Sequence, residues 1–158
     1  MMITRMRMTY SLRPQCCLPS MELRPPTTND RDQLASLLLE SYRDSIDQEF
    51  ETYLPALAEI ERLFQGEHGL YLPQHSRIVE HKGQLISAAL ITYWHERPLL
   101  AYAMTFPTFR QQGLGGLCIQ HAMQSLVEAD YTSLNLVVTV GNEAAFRLYK
   151  KLGFVESH

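Results

Sequence analysis

Arg110, Gly113, Gly115 and Gly116 stand in the run Arg-Gln-Gln-Gly-Leu-Gly-Gly, where an apolar stretch gives way to a helical pattern. Such a loop can hold an anion. Glycines lack the Cβ that keeps backbone N–H groups away from a ligand, and the positive end of the helix that follows attracts negative charge. Arg110 adds a planar set of donors suited to phosphate oxygens. A nucleoside-triphosphate loop would need Gly-Lys-Ser/Thr, and Gly115-Gly116-Leu117 has neither the lysine nor the hydroxyl. A dinucleotide loop would need G-x-G-x-x-G, and the third position, three residues beyond Gly115, is Cys118. The pattern left is R-x-x-G-x-G, and on its own it also fits an ordinary strand-turn-helix junction.

A second segment bears on that choice. Residues 134–140 form a short β-rich apolar run ending at Gly141, the composition of a central strand covered on both faces. Asn142 follows as a helix N-cap. Ala145, Leu148, Tyr149 and Leu152 then recur on one helical face until Gly153 stops the helix in a left-handed turn.

Together, the glycine loop and the Asn-headed helix carrying Leu-Tyr-Lys-Lys-Leu-Gly-Phe at 148–154 resemble the GNAT acetyltransferase superfamily. The resemblance implies a mixed α/β sheet with helices on both faces and acetyl-CoA as co-substrate. It further implies that the N–H groups of Gln111, Gln112, Gly113, Leu114, Gly115 and Gly116, with Arg110, hold the pyrophosphate. Backbone N–H groups of Ala103, Met104 and Thr105 would meet the pantetheine arm and thioester. Tyr149 falls where the superfamily's general acid commonly sits, and a phenol can protonate a departing thiolate; a plain aromatic on the inner helix face is the alternative. Asn142 reads equally as a simple cap or as a cap that also touches the pantetheine amides. No general base stands out: His95, Glu96 and Glu80 are the candidates, and each also reads as a surface residue.

These groups need a scaffold to position them. Residues 21–25 read as a first strand. A helix capped by Asn29 or Asp30 carries Leu34, Leu37, Leu38 and Tyr42, and a second helix carries Tyr53, Leu57, Ile60 and Phe64. Residues 76–80 and 84–94 read as a hairpin turning at Lys82-Gly83, residues 99–106 as the next strand, and the segment from Leu117 past Val127 as a helix. The order is β-α-α-β-β-β-α-β-α-β. After Phe154 only four residues remain, where most superfamily members continue into a further strand or hairpin. The sheet is therefore expected to stop early, leaving an edge beside residues 134–140 that a second copy would cover unless the chain is a truncated product.

Composition sets the bounds. With 158 residues, 46% hydrophobic and 20% charged, the chain can build one core. No stretch is long and apolar enough for a membrane span, and a net charge of −3 gives no reason to expect nucleic acid. Residues 1–20 carry Arg5, Arg7 and Arg13 with no acid, lack periodicity, and contain Pro14 and Pro19. They read as an appendage outside a single domain at 21–158, with Met21 as an alternative start. A transit peptide or a vector-derived remnant fits the same residues. From 30 to 67 ten acidic residues face three arginines, either a solvated helical surface or a field that attracts a cationic amine. Cys16, Cys17 and Cys118 suggest a reducing, cytoplasmic setting without disulfides, and the six scattered histidines show no metal-ligand spacing.

The expected function is N-acetyl transfer from acetyl-CoA to a primary amine of a small molecule or peptide by direct attack. A CoA-binding module without turnover is the alternative, and an α/β protein without a ligand is a third. The acidic segment favours a polyamine, aminoglycoside-like or lysine-containing acceptor over an anionic one.

Overall fold

A computed structural model of the chain describes residues 3–15 and 22–157; Cys16, Cys17 and the alternative start at Met21 lie outside them. The strands are β1 (Arg5–Ser11), β2 (Leu23–Arg24), β3 (Leu70–Tyr71), β4 (Arg77–His81), β5 (Gln84–Trp94), β6 (Arg97–Thr105), β7 (Ser133–Thr139) and β8 (Val155–Ser157). The helices are α1 (Arg31–Ser41), α2 (Tyr53–Phe64), α3 (Leu114–Glu128) and α4 (Glu143–Leu152). From residue 22 onward this is the expected order, with one addition: β3 pairs antiparallel with β5.

One sheet runs β2-β4-β5-β6-β7-β1-β8. It separates two cores, because side chains alternate across a strand. On one face Leu85, Ala88, Leu90 and Met104 meet Leu34, Leu37 and Leu38 of α1 and Ala56, Ile60 and Leu63 of α2. On the other, Ile86, Ala89, Ile91, Leu134, Leu136 and Val138 meet Cys118, Ile119, Ala122, Met123 and Leu126 of α3. Cys118 is fully buried there, and burial pushes its thiol up to about 12. The buried stripe of α2 is Ala56, Glu59, Ile60 and Leu63. It is turned from the expected stripe, of which only Ile60 is buried; Tyr53, Leu57 and Phe64 pack at the edge of that core.

The N-terminal segment is a correction to the sequence reading. Residues 5–11 are not an appendage: β1 pairs antiparallel with β7 through seven residues, from Arg5↔Thr139 to Ser11↔Ser133, and with β8 through Arg7↔Ser157 to Thr9↔Val155. Met8 is fully buried and Tyr10 nearly so, both in the α3 core, where Tyr10 lies against Phe154 with ring centroids 5.6 Å apart. The pattern is a strand of period two, with Met6, Met8 and Tyr10 inward and Arg5 and Arg7 outward. The uncovered edge expected beside residues 134–140 is therefore filled from within the chain, and a homodimer is not needed to cover it. The sheet ends instead at the three-residue β8, a short edge that offers little to pair with.

The feature that positions the site is the parting of β6 from β7. These parallel strands are bridged at Leu99↔Asn135 alone, where the Asn135 amide also donates to the Pro98 carbonyl at 3.3 Å. Beyond that point they diverge, and a cleft opens between them.

Candidate functional site

The cleft has a volume of about 550 Å³. Residues 99–103 and Thr105 form one wall, Val137, Val138 and Thr139 the other. The start of α4 and the loop between α1 and α2 complete it. Arg5 of the N-terminal strand also lines it.

At one end lies the glycine loop. Gly113 is the N-cap of α3 with φ +78°, and Gln111 before it is also left-handed at +65°. The N–H groups from Gln111 to Gly116 have no partner among the described residues; the first backbone bond beyond them runs from the Leu117 N–H to the Gly113 carbonyl at 3.0 Å. This leaves a run of donors at a helix N-terminus, the arrangement that binds anions. Gly115 and Gly116 serve close packing as well. A Cβ at 115 would sit 3.3 Å from Thr105 Oγ1, and one at 116 would lie 3.5 Å from Leu148 Cδ1, so the first turn of α3 nestles between β6 and α4. The Leu114 side chain is buried in the α3 core, leaving only its backbone for a ligand. Arg110 lines the cleft and donates from Nη2 to the Ser41 carbonyl at the end of α1, which holds the guanidinium beside the loop.

The three expected backbone donors of β6 divide. The Phe106 N–H donates to the Ile86 carbonyl at 2.7 Å, so the alternation of the antiparallel ladder turns the Met104 N–H toward β5 as well. Met104 is also 1% exposed and absent from the cleft wall, so the expectation for it is corrected. Ala103 and Thr105 face the gap. The Thr105 N–H already donates to Ser41 Oγ at 3.1 Å, and the Ala103 carbonyl accepts from the Tyr42 hydroxyl at 3.1 Å. The Ala103 N–H is left as the donor facing the cleft.

Asn142 caps α4, its Oδ1 accepting from the Ala145 N–H at 3.2 Å. Its amide nitrogen donates to Asp47 Oδ2 at 2.6 Å, and the Thr139 hydroxyl donates to Asp47 Oδ1 at 2.6 Å. Of the two readings of Asn142, the cap is present; the amide is engaged by Asp47, which ties the α1–α2 loop across the cleft. Tyr149 lines the cleft with its ring edge-on to Phe154 at 5.8 Å. Burial, with Asp47 nearby, pushes its phenol up to about 12, so it keeps its proton at neutral pH. Tyr42 is raised well above its ordinary range by burial first and by Tyr149, Tyr102 and Asp47 second.

His95, Glu96 and Glu80 are not in the cleft wall. His95 and Glu96 make the tight turn between β5 and β6, both left-handed at φ +51° and +64°, and Glu80 pairs with Arg24 at 3.2 Å. The cleft wall also holds groups to which the sequence reading gave no individual role: Tyr42, Asp47, Glu49, His68 and Tyr102 line it, with Glu59 behind. One signal pointed to Glu59. It occupies an i, i+3, i+4, i+7 stripe otherwise made of Ala56, Ile60 and Leu63, where a carboxylate is costly unless it is partnered. Among the described residues no group of three or more His, Cys, Asp or Glu side chains is placed to hold a metal ion, and no helix is long and apolar enough to cross a membrane.

The acetyltransferase (GNAT) family pattern matches residues 31–154, and the chain belongs to that family. Solved structures share the fold. A GCN5-related N-acetyltransferase from Sphaerobacter thermophilus superposes with a TM-score of 0.73 at 14% identity over 98% of this chain and 48% of that one, so this chain spans about half of that protein. The ribosomal-protein-S18-alanine N-acetyltransferase of Escherichia coli gives 0.68 at 21% identity over 87% and 79%. The aminoglycoside N-acetyltransferase AAC(6')-Iy in complex with CoA gives 0.67 at 17% over 87% and 89%. No curated protein sequence matches the chain. The family pattern begins at residue 31, after β1.

Proposed function

We propose that the protein transfers an acetyl group from acetyl-CoA to a primary amine of a small molecule or peptide by direct attack in a ternary complex. The observation that carries this reading is the run of unpartnered N–H groups from Gln111 to Gly116, set beside Arg110 at the mouth of the gap between β6 and β7. That cradle suits the pyrophosphate. The gap is then the channel for the pantetheine arm, with the Ala103 N–H as the donor to its amides or to the thioester oxygen. An oxyanion forms when the amine nitrogen attacks the thioester carbon, and fixed donors stabilise it. As the C–S bond breaks, the Tyr149 hydroxyl gives its proton to the sulfur. Its raised affinity for that proton keeps the phenol in the acid form the step requires.

Thermal melts with and without acetyl-CoA test the cofactor site. At about a hundred times Kd the ligand adds roughly 2.7 kcal/mol, a rise of about 5 to 10 °C for a chain of this size. In Gly113→Glu the rise should vanish while the fold survives, since a Cβ at 113 meets nothing within 4 Å and only the cost of the left-handed backbone remains. Absence of any rise in the wild-type protein would refute the reading.

A further inference from the structure

The end of the cleft away from the glycine loop is built around a buried carboxylate. Glu59 of α2 has a side chain 7% exposed, yet both of its oxygens are used. Oε1 lies 2.7 Å from His68 Nε2 and 3.5 Å from Arg62 Nε, and Oε2 accepts from the Tyr102 hydroxyl at 3.1 Å. His68 is 40% exposed and lines the same cavity as Tyr149 and Ala103. Its loop is fixed from both sides. Gly66 and Gly69 are left-handed at φ +87° and +92°, and a Cβ on Gly69 would fall 2.3 Å from the Tyr93 carbonyl oxygen, so the loop is clamped against β5.

We infer that His68 is the general base for the acceptor, and that the acceptor is an alkylamine that arrives as an ammonium ion. This rests on the acetyltransferase reading. A hydrogen bond donated from Nε2–H to the Glu59 carboxylate leaves Nδ1 as an acceptor. Glu59 is a positioning residue: its carboxylate, 2.7 Å from Nε2, fixes the tautomer and the orientation of the ring. The charged groups around His68 are Glu59 and Arg62 of α2 and Glu67 beside it, paired with Arg62 at 3.6 Å; Asp47 and Glu49 line the same cavity wall, as do Arg5 and Arg110. The carboxylates among them attract a cationic amine to this end. The protons balance. One leaves the ammonium for His68 Nδ1 and passes to solvent, and the freed nitrogen pair attacks the thioester carbon. The C–S bond breaks, and the thiolate takes the Tyr149 proton. The second proton lost by the nitrogen restores Tyr149.

An amine already neutral at pH 7 needs no such base, which gives the test. Acetyl transfer is measured in the wild-type protein and His68→Gln with spermidine and a short lysine peptide as ammonium probes and methoxyamine as the neutral probe. The expected result is a fall on the order of 10² to 10⁴ in the rate with the ammonium probes and a change within about threefold for methoxyamine. Equal falls for both kinds of probe would make the pair a loop staple and overturn the assignment, as would an unchanged rate with the ammonium probes. A wild-type protein that acetylates neither kind of amine would overturn the acceptor class. Independently of turnover, ¹⁵N spectra of histidine-labelled protein, assigned by the signal lost in His68→Gln, should show the Nε2–H tautomer; the Nδ1–H tautomer would overturn the proposal. The acetyl-CoA melt of the wild-type protein, run alongside, shows separately whether the acetyltransferase reading itself has failed.

Discussion

The two ends of the cleft are made of different materials. The cradle end is backbone: successive N–H groups of one loop and the first turn of α3, made accessible by glycines within a few residues of one another. The far end is side chain: Glu59 from α2, His68 from the loop after it and Tyr102 from β6, with Glu59 bonded to both of the others. A backbone site needs a particular local sequence and tolerates little else. A side-chain site needs only that distant positions meet, so any one of them looks ordinary in its own segment.

Both ends share the β7 wall, and β7 is held by β1, so the largest effect is expected from removing that strand. A chain started at Met21 loses two strand pairings and the burial of Met8 and Tyr10. At ~1.5 to 3 kcal/mol for each buried side chain, with the ladder bonds in addition, the loss rivals a typical total stability of about 5 to 15 kcal/mol. No cooperative melt by circular dichroism is expected, and a peptide of residues 1–15 added back should restore one. A shortened chain that melts like the full one would deny β1 its role in the sheet.

Two glycines set the ends directly against each other. Gly69→Ala drives a Cβ into the Tyr93 carbonyl at a left-handed position; a loss of about 3 kcal/mol corresponds to a fall of about 6 to 12 °C in Tm. Gly113→Ala enters open space, so only the backbone cost of about 1 kcal/mol remains, or about 2 to 4 °C. Equal falls in Tm would mean that the far end is not clamped as described.

Tyr149→Phe tests the junction of the two ends. The chemical step should slow by about 10² or more while the acetyl-CoA-induced rise in Tm is kept; a CoA-binding module would show no change in either. Because burial pushes the phenol up to about 12, it should cause no loss of activity in mildly alkaline buffer.

The smallest effect lies outside the cleft. His75, whose Nδ1 is 2.7 Å from Ser125 Oγ of α3, is held below its ordinary 6.5 by burial and then by Arg77. The unfolded chain therefore binds the proton more readily than the folded one. The contribution is complete above pH 6.5 and is lost as the pH falls from there through the lowered value. Tm compared at pH 7.5 and 5.5 should fall slightly less in His75→Gln than in the wild-type protein; an identical or larger fall in the variant would remove His75 as a source of acid sensitivity.

The sequence by itself determined the local pieces: the order of elements from residue 22 apart from β3, the glycine loop, the Asn142 cap and the inward face bearing Tyr149. Each depends on periodicity, capping or backbone freedom within a few residues. Tertiary structure decided the rest. Residues 5–11 have a two-residue period, but Arg5 and Arg7 alternating with methionines resemble a basic tail until β7 and Phe154 are there to cover Met8 and Tyr10. Whether an N–H of Ala103, Met104 or Thr105 faces the cleft depends on ladder phase, which pairing with β5 fixes. Asn142 finds Asp47 and Tyr102 finds Glu59 only after α1, α2 and the sheet have packed. A hydrogen bond across 95 residues leaves no trace in the spacing of either partner, because what specifies it is the distance between folded elements.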